Sequence, residues 1–280
     1  MQYAAIEAIP DARFPFGQPL KLVKQHDRSP KRVFVLGVYA SAVHAKWYSP
    51  KKKVFCKAFA VASEPVIFWN GENAAEIISQ IEVPSEAGYL KPAEGKYNGP
   101  SGKTLDGLYL APLGLSRSNA WLCDLVPHSF MNKKQEAAIQ NRYIPLSKEL
   151  HKKYDIRLQE ASVPNISSKQ NDKILRERID EYRRDEILAE IEESQAKTII
   201  LLGDKPIKWF LSLSSDSKKT RLDEFDYGLP VPINFMNGKA YTVIPLAHVR
   251  QGGKLGSHNY KWKQRHDDWL TKVAPRIKIT

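Results

Sequence analysis

Cysteine is scarce: Cys56 and Cys123 are the only two in 280 residues. Two thiols cannot build a four-cysteine zinc or iron–sulfur centre, nor a disulfide framework. No apolar run approaches the length that spans a bilayer. The amino terminus carries acids and prolines instead of the apolar core of a signal peptide, so the chain reads as a cytoplasmic protein with no membrane partner. There is no internal repeat and no low-complexity tract. The Gly-x-Ser-x-Gly elbow of serine hydrolases and the Gly-x4-Gly-Lys-Ser/Thr phosphate loop are both missing. Cys123, His128 and His151 do not fall at metal-ligand spacing, so neither metal nor organic cofactor is expected.

Acidic charge is also in short supply. Lys and Arg number 43 against 31 Asp and Glu, a formal net charge of +12. From Lys239 onward there are nine basic residues and only two acids, Asp267 and Asp268. A second basic cluster, Arg28, Lys31, Arg32, Lys46 and Lys51 to Lys53, brackets the first strand. Such a surplus suits a polyanion, nucleic acid before all others.

Four apolar runs stand out: Arg32 to Val38, Ala120 to Cys123, Thr198 to Leu202 and Tyr241 to Ala247. Helical segments separate them. The pattern predicts an α/β fold, a three-layer α/β/α sandwich around a mostly parallel four-stranded sheet. Residues 1–30 read as a peripheral arm, and 31–280 as a single domain with a charged helical segment at about 141–195. Within that segment, Leu175, Ile179, Tyr182, Leu188 and Ile191 give one apolar side, and the charges read as a solvated face. Val54 to Ala62 suits an edge strand, Ala74 to Ile81 a short helix, and 84–101 a loop. Asn132 is an expected helix N-cap. Trp262 to Val273 is the closing amphipathic helix.

In open α/β sheets, ligands gather at the carboxyl ends of strands. That rule selects Gly37 with the following turn to Ser41 and His44, Asp124 at the end of its strand, Gly203, and His248. Gly37 permits a sharp turn and close approach of a ligand. A buried carboxylate at Asp124 is costly unless paired or used. A neutral His248 can donate to a developing anion. Phe68-Trp69 can stack on a flat ring. Asn98 to Lys103 forms a turn whose N–H groups can meet a phosphate.

Taken in order, these segments resemble the uracil-DNA glycosylase superfamily, from about Arg32 to Trp269. Val35-Leu36-Gly37-Val38-Tyr39-Ala40-Ser41 stands where that family has its first motif. Gly99-Pro100-Ser101-Gly102-Lys103-Thr104-Leu105-Asp106, followed by Pro112-Leu113-Gly114-Leu115-Ser116-Arg117, resembles a run in the iron–sulfur branch. Trp121-Leu122-Cys123-Asp124-Leu125-Val126-Pro127 resembles the strand that ordinarily ends in a base-reading Asn. Thr198 to Asp204 matches the penultimate strand. Pro245-Leu246-Ala247-His248-Val249-Arg250 resembles the last motif, ordinarily His-Pro-Ser.

The departures are chemical. Tyr39 replaces the water-activating Asp or Asn of the first motif, and a phenol, with an ordinary pKa of about 10, is a poor base at neutral pH. Val38 replaces the acid of the iron–sulfur branch, whose cluster cysteines are missing. Asp124 replaces the base-reading amide, and an ionised carboxylate only accepts hydrogen bonds.

The resemblance implies a monomeric DNA base-excision glycosylase that flips a damaged or modified base, and the departure at Asp124 points to a base other than uracil, unless Asp124 instead activates the water. His248 and Asp124 would be catalytic. Tyr39, Ser41, His44, Phe68, Trp69 and Asp124 would line the base pocket. Ser101, Lys103, Arg250, Gln251, Lys254 and Leu255 would meet DNA, with Leu255 as a wedge. The alternative is a non-catalytic DNA-binding protein on the same fold.

Overall fold

A computed structural model describes residues 8–165, 181–235, 238–252 and 260–279. Among them lie ten strands: β1 (Ala8–Arg13), β2 (Pro19–Lys21), β3 (Val33–Tyr39), β4 (Ala42–Tyr48), β5 (Val54–Ser63), β6 (Tyr89–Pro92), β7 (Ala120–Val126), β8 (Thr198–Leu202), β9 (Val231–Asn234) and β10 (Ala240–Leu246). Backbone contacts divide the chain into two compact units. The first comprises Met1–Val23, Tyr39–Pro100 and Pro127–Arg178; the second comprises Lys24–Val38, Ser101–Val126 and Ile179–Thr280. The 31–280 stretch expected as one domain is thus shared between two units. None of the described helices is long and apolar enough to cross a membrane.

In the first unit, β5-β4-β6 form an antiparallel sheet. Alternation sets its faces. Val43, Ala45 and Trp47 of β4 are buried, while His44, Lys46 and Tyr48 are partly exposed. Trp47 stacks on Phe59 at 5.3 Å, and Phe16 meets Trp47 edge-on at 5.5 Å. The hydroxyl of Tyr143 accepts from the Phe16 N–H at 2.9 Å and donates to the Gln159 carbonyl at 2.8 Å. Residues 8–21, expected in a peripheral arm, instead pair β1 with β2 and bury Phe14 and Leu20 completely. The 84–101 stretch, expected as loop, holds β6 and the start of the short helix Pro100–Thr104. Asn132 caps the helix Lys133–Ala138, its side chain accepting from the Lys134 and Gln135 N–H groups.

The second unit is α/β, with a mixed five-stranded sheet in the order β7-β3-β8-β10-β9. β3, β8 and β10 are mutually parallel, and β9 is antiparallel to β10. The expected sheet of four, mostly parallel, lacked β9. That strand has four residues and contains Pro232, which a ladder tolerates at an edge, so its pattern is weak. Leu36, Leu201 and Pro245 lie in register across three strands. The helices Glu181–Ser194 and Asp204–Leu211 pack through Ile187, Ile191, Ile207 and Phe210 on the face that carries Phe34, Leu36, Trp121, Cys123, Ile199 and Leu201.

The helix Glu181–Ser194 differs from expectation. Tyr182 is largely exposed, whereas Arg183 and Glu190 are buried. Leu175 and Ile179 lie outside the described residues. Arg183 donates to the Asp124 carbonyl at 2.6 Å and reaches Glu186 at 3.2 Å and Glu190 at 3.3 Å. Glu190 also accepts from the Trp121 indole N–H at 2.8 Å. The charges are buried because each has a partner.

Removing one member leaves the other uncompensated. Arg183→Met lowers the unfolding free energy by about 3–5 kcal/mol in chemical denaturation. Adding Glu190→Leu recovers part of that loss.

Candidate functional site

The strand order puts a topological switch point between β3 and β8. β3 comes first in the chain, β7 lies on one side of it, and β8 and β10 follow on the other. The path changes direction between β3 and β8, and ligands of open α/β sheets bind at the carboxyl ends of such a junction. Gly37, expected at the end of its strand, lies two residues inside β3, which runs on to Tyr39, whereas Gly203 is the first residue after β8.

Gly203 is held by a bond from its N–H to the Leu246 carbonyl, 2.8 Å. Its φ is +90°, and a Cβ there would lie 3.3 Å from the His248 Cβ. A side chain at 203 would therefore strain the backbone and press on His248.

His248 follows β10 by two residues and is half-buried. The Arg250 N–H approaches its Nδ1 at 3.3 Å. Nδ1 then accepts, which assigns the proton to Nε2. Burial first, then the Arg250 charge, pull its pKa down to about 4. The imidazole is neutral at physiological pH and offers one N–H.

The peptide just before it is clamped on both sides. The Ala247 N–H donates to the Tyr227 hydroxyl at 3.2 Å, and the Ala247 carbonyl accepts from the Tyr109 hydroxyl at 2.9 Å. Tyr227 in turn bonds Nδ1 of His266 at 2.7 Å, and Nε2 of His266 lies 2.9 Å from the Leu108 carbonyl. That carbonyl can only accept, so His266 is protonated on Nε2 and receives the Tyr227 O–H on Nδ1. His266 is fully buried and Tyr109 stacks on it at 4.3 Å. Burial lowers the His266 pKa and raises those of both tyrosines. Sequence reasoning missed these three residues. A histidine inside an amphipathic helix carries no local mark of the tyrosines it will meet.

Asp124 lies two residues inside β7, not at its end. It is 3% exposed. By strand alternation its side chain is on the sheet face opposite Trp121, Cys123 and Leu125. Burial raises its pKa to about 7, against the pull of Arg183. The N–H of Arg32 donates to the Asn119 carbonyl at 2.9 Å, immediately before β3 and β7 begin. Both strands therefore start at one edge of the sheet and bring Gly37 and Asp124 toward the other, where His248 also sits. At ordinary strand spacing β7 and β10 are about 14 Å apart.

The remaining expected residues of the second unit are simpler. Ser101 is half-buried and Lys103 exposed on the five-residue helix Pro100–Thr104. Arg250 is exposed and Gln251 half-buried on Val249–Gly252. Lys254 and Leu255 lie outside the described residues. A cavity of about 260 Å³ is lined by Phe225, Asp226, Tyr227, Arg265, Trp269 and Lys272. None of the expected site residues lines it.

The others belong to the first unit. Tyr39 is 38% exposed and meets Phe130 edge-on at 5.4 Å. Ser41 donates its N–H to Glu64 at 3.0 Å, and its carbonyl accepts from the Ser129 hydroxyl. His44, expected in a turn, lies within β4. Its N–H and carbonyl are both bonded to the Asn98 side chain at 2.8 Å. Trp69 packs into the apolar core and donates its indole N–H to the Glu72 carbonyl at 2.9 Å, so it offers no free ring face. Phe68 has φ +51°, unusual for an aromatic residue. Beside it the Asn70–Gly71 and Asn98–Gly99 backbones press together. A Cβ on Gly99 would lie 1.9 Å from the Asn70 carbonyl carbon.

Among the described residues, no group of three His, Cys, Asp or Glu side chains is placed to hold a metal ion. No protein-family model matches the chain, and no curated protein sequence matches it.

The raised pKa of Asp124 has a consequence for stability. An unfolded aspartate ionises near pH 4, the folded one near pH 7. Between those values the fold holds a proton that the unfolded chain has released. This contribution therefore falls as pH rises from about 4 to 7, then levels off. Asp124→Asn removes it. The variant's stability advantage grows across that window toward about 4 kcal/mol at pH 8, measured by denaturation at several pH values.

Proposed function

We propose that this chain is a DNA N-glycosylase of the uracil-DNA glycosylase superfamily, a monomeric cytoplasmic enzyme on a three-layer α/β/α fold. One observation carries the reading. A neutral imidazole whose Nδ1 accepts from the Arg250 N–H, leaving its proton on Nε2, and a buried carboxyl with its pKa raised to about 7 both lie toward one end of the parallel strands of the mixed sheet. Hydrolysis of a base–sugar bond needs both a donor for the departing base and an acceptor for the proton of water.

The steps follow from those groups. The nucleotide leaves the stack so that its base reaches the rim. The bond from C1′ to the base nitrogen breaks, and its electron pair stays with the base. The Nε2–H of His248 stabilises that developing anion. Because the imidazole is already neutral, this is hydrogen-bond stabilisation and not full proton transfer. Water adds to C1′ and gives its proton to ionised Asp124. The departing base takes up that proton from Asp124 through solvent, which returns the carboxylate to its ionised form. Tyr39, Ser41, His44 and Phe68, assigned to the base pocket by the resemblance, belong to the first unit, where Phe68 is buried as Trp69 is. Ser101, Lys103, Arg250, Gln251, Lys254 and Leu255 meet the DNA.

In the competing assignment Asp124 reads the base instead of activating water. An ionised carboxylate repels a carbonyl and accepts from an amine, which favours a base presenting an amine over uracil. Non-catalytic DNA binding is the second reading, favoured by Val38 and Tyr39 in the place of the family's acids.

A panel of oligonucleotides with uracil, hypoxanthine, xanthine and modified cytosines, scored for abasic sites, tests the proposal. Alkali-labile breaks at one base type are expected, with a loss of about 100-fold or more in His248→Ala. The rate rises with pH through 7 as Asp124 ionises, and shows no inflection near 6.5 from His248. A blank panel with salt-sensitive DNA binding supports the second reading instead.

A further inference from the structure

The outer face of the β5-β4-β6 sheet carries two unusual rows. Lys46 of β4 lies directly opposite Lys91 of β6, and two residues along, Tyr48 lies opposite Tyr89. Both pairs share the face that Trp47 and Leu90 leave. Like charges placed directly across a strand pair destabilise it. A sheet edge that needed only solubility would carry one lysine here and an acid opposite. Lys57 of β5 extends the first row. It lies where the β4–β5 register shifts, between the Ala45–Phe59 and Trp47–Cys56 pairs. The acid on which Lys46 and Lys57 both act is Glu94, and its carboxylate is already bonded to Lys96 at 2.6 Å.

The tyrosines form a flat platform. Their rings stack at 5.0 Å with 6° between planes. The Lys46 ammonium stands 5.2 Å from the Tyr48 ring centre, and that of Lys91 stands 5.8 Å from Tyr89. The cations rest on the ring faces. A ligand with both phosphates and flat rings would exchange these contacts: each ammonium would turn to a phosphate, and each freed ring face would take a base.

We infer that this sheet face is a binding surface for single-stranded nucleic acid, with Tyr48 and Tyr89 stacking on bases and Lys46, Lys57 and Lys91 meeting phosphates. Combined stacking and charge are what single strands need, because their bases are free to leave one another. A duplex keeps its bases stacked inside and offers this face phosphates alone. An acidic protein would use the lysines and have no need of the ring pair. The surface lies wholly within the first unit and does not depend on the glycosylase reading, so a blank base panel leaves it standing.

Fluorescence anisotropy of the full chain with a labelled oligothymidylate of about 15 nucleotides tests it. Tyr48→Leu with Tyr89→Leu weakens that binding about 10-fold or more and leaves affinity for a duplex of the same length unchanged. Lys46→Gln, Lys57→Gln and Lys91→Gln together lower the salt slope of single-strand binding by about 2. Lys91→Glu guards against misfolded variants, since it replaces a repelling pair with an attracting one. It raises the melting temperature while weakening oligothymidylate binding. Undiminished single-strand affinity in the tyrosine variant overturns the proposal. So does equal loss of duplex and single-strand binding, or displacement by heparin with no effect of the tyrosines, which mark a general polyanion surface.

Discussion

The second unit depends on the parallel pairing of β3, β8 and β10. Their central residues are buried on both faces, so one-residue slips would exchange the two packed faces of each strand. The register that prevents this aligns Leu36, Leu201 and Pro245. It also brings Gly37, Gly203 and the approach to His248 to one level. The level at which these residues meet is therefore a by-product of how the apolar core is packed.

Those residues are held from behind. The Ala247 peptide is bonded by Tyr227 and Tyr109, both of which contact the buried His266 ring. The Asp124 peptide is bonded by Arg183, whose charge is balanced by Glu186 and Glu190. Each backbone position is fixed by a polar network. His248 stays uncharged because partial burial and the Arg250 charge disfavour a second proton, and Asp124 keeps a high proton affinity because its burial outweighs the pull of Arg183.

The strands of this sheet were legible because continuous runs such as Thr198–Leu202 are buried on both faces, and such runs stand out in a sequence. The cap at Asn132 was legible for a local reason, a side chain bonding its own helix start. What was hidden depends on distant partners. β9 is short and interrupted by Pro232. Phe14 and Leu20 sit among prolines and charges that suggest surface. Arg183 and Glu190 look like solvent residues until their pairing is seen. His44 looked like a turn residue, although it lies in a strand whose backbone Asn98 supports from 54 residues away. Of the aromatic pair, position alone could not tell that Trp69 enters the core. Strand-end reasoning selected Asp124 and His248; Asp124 lies two residues inside β7 and His248 two residues past β10, while Tyr109, Tyr227 and His266 behind Ala247 left no pattern to read.

The proposed chemistry requires His248 to be an uncharged donor in the folded protein. Imidazole nitrogen NMR on a nitrogen-15 histidine-labelled sample, followed against pH, addresses it directly. The expected spectrum shows the Nε2–H tautomer of His248 persisting to about pH 4. An Nδ1–H tautomer, or protonation near pH 6.5 as in a free histidine, would contradict it.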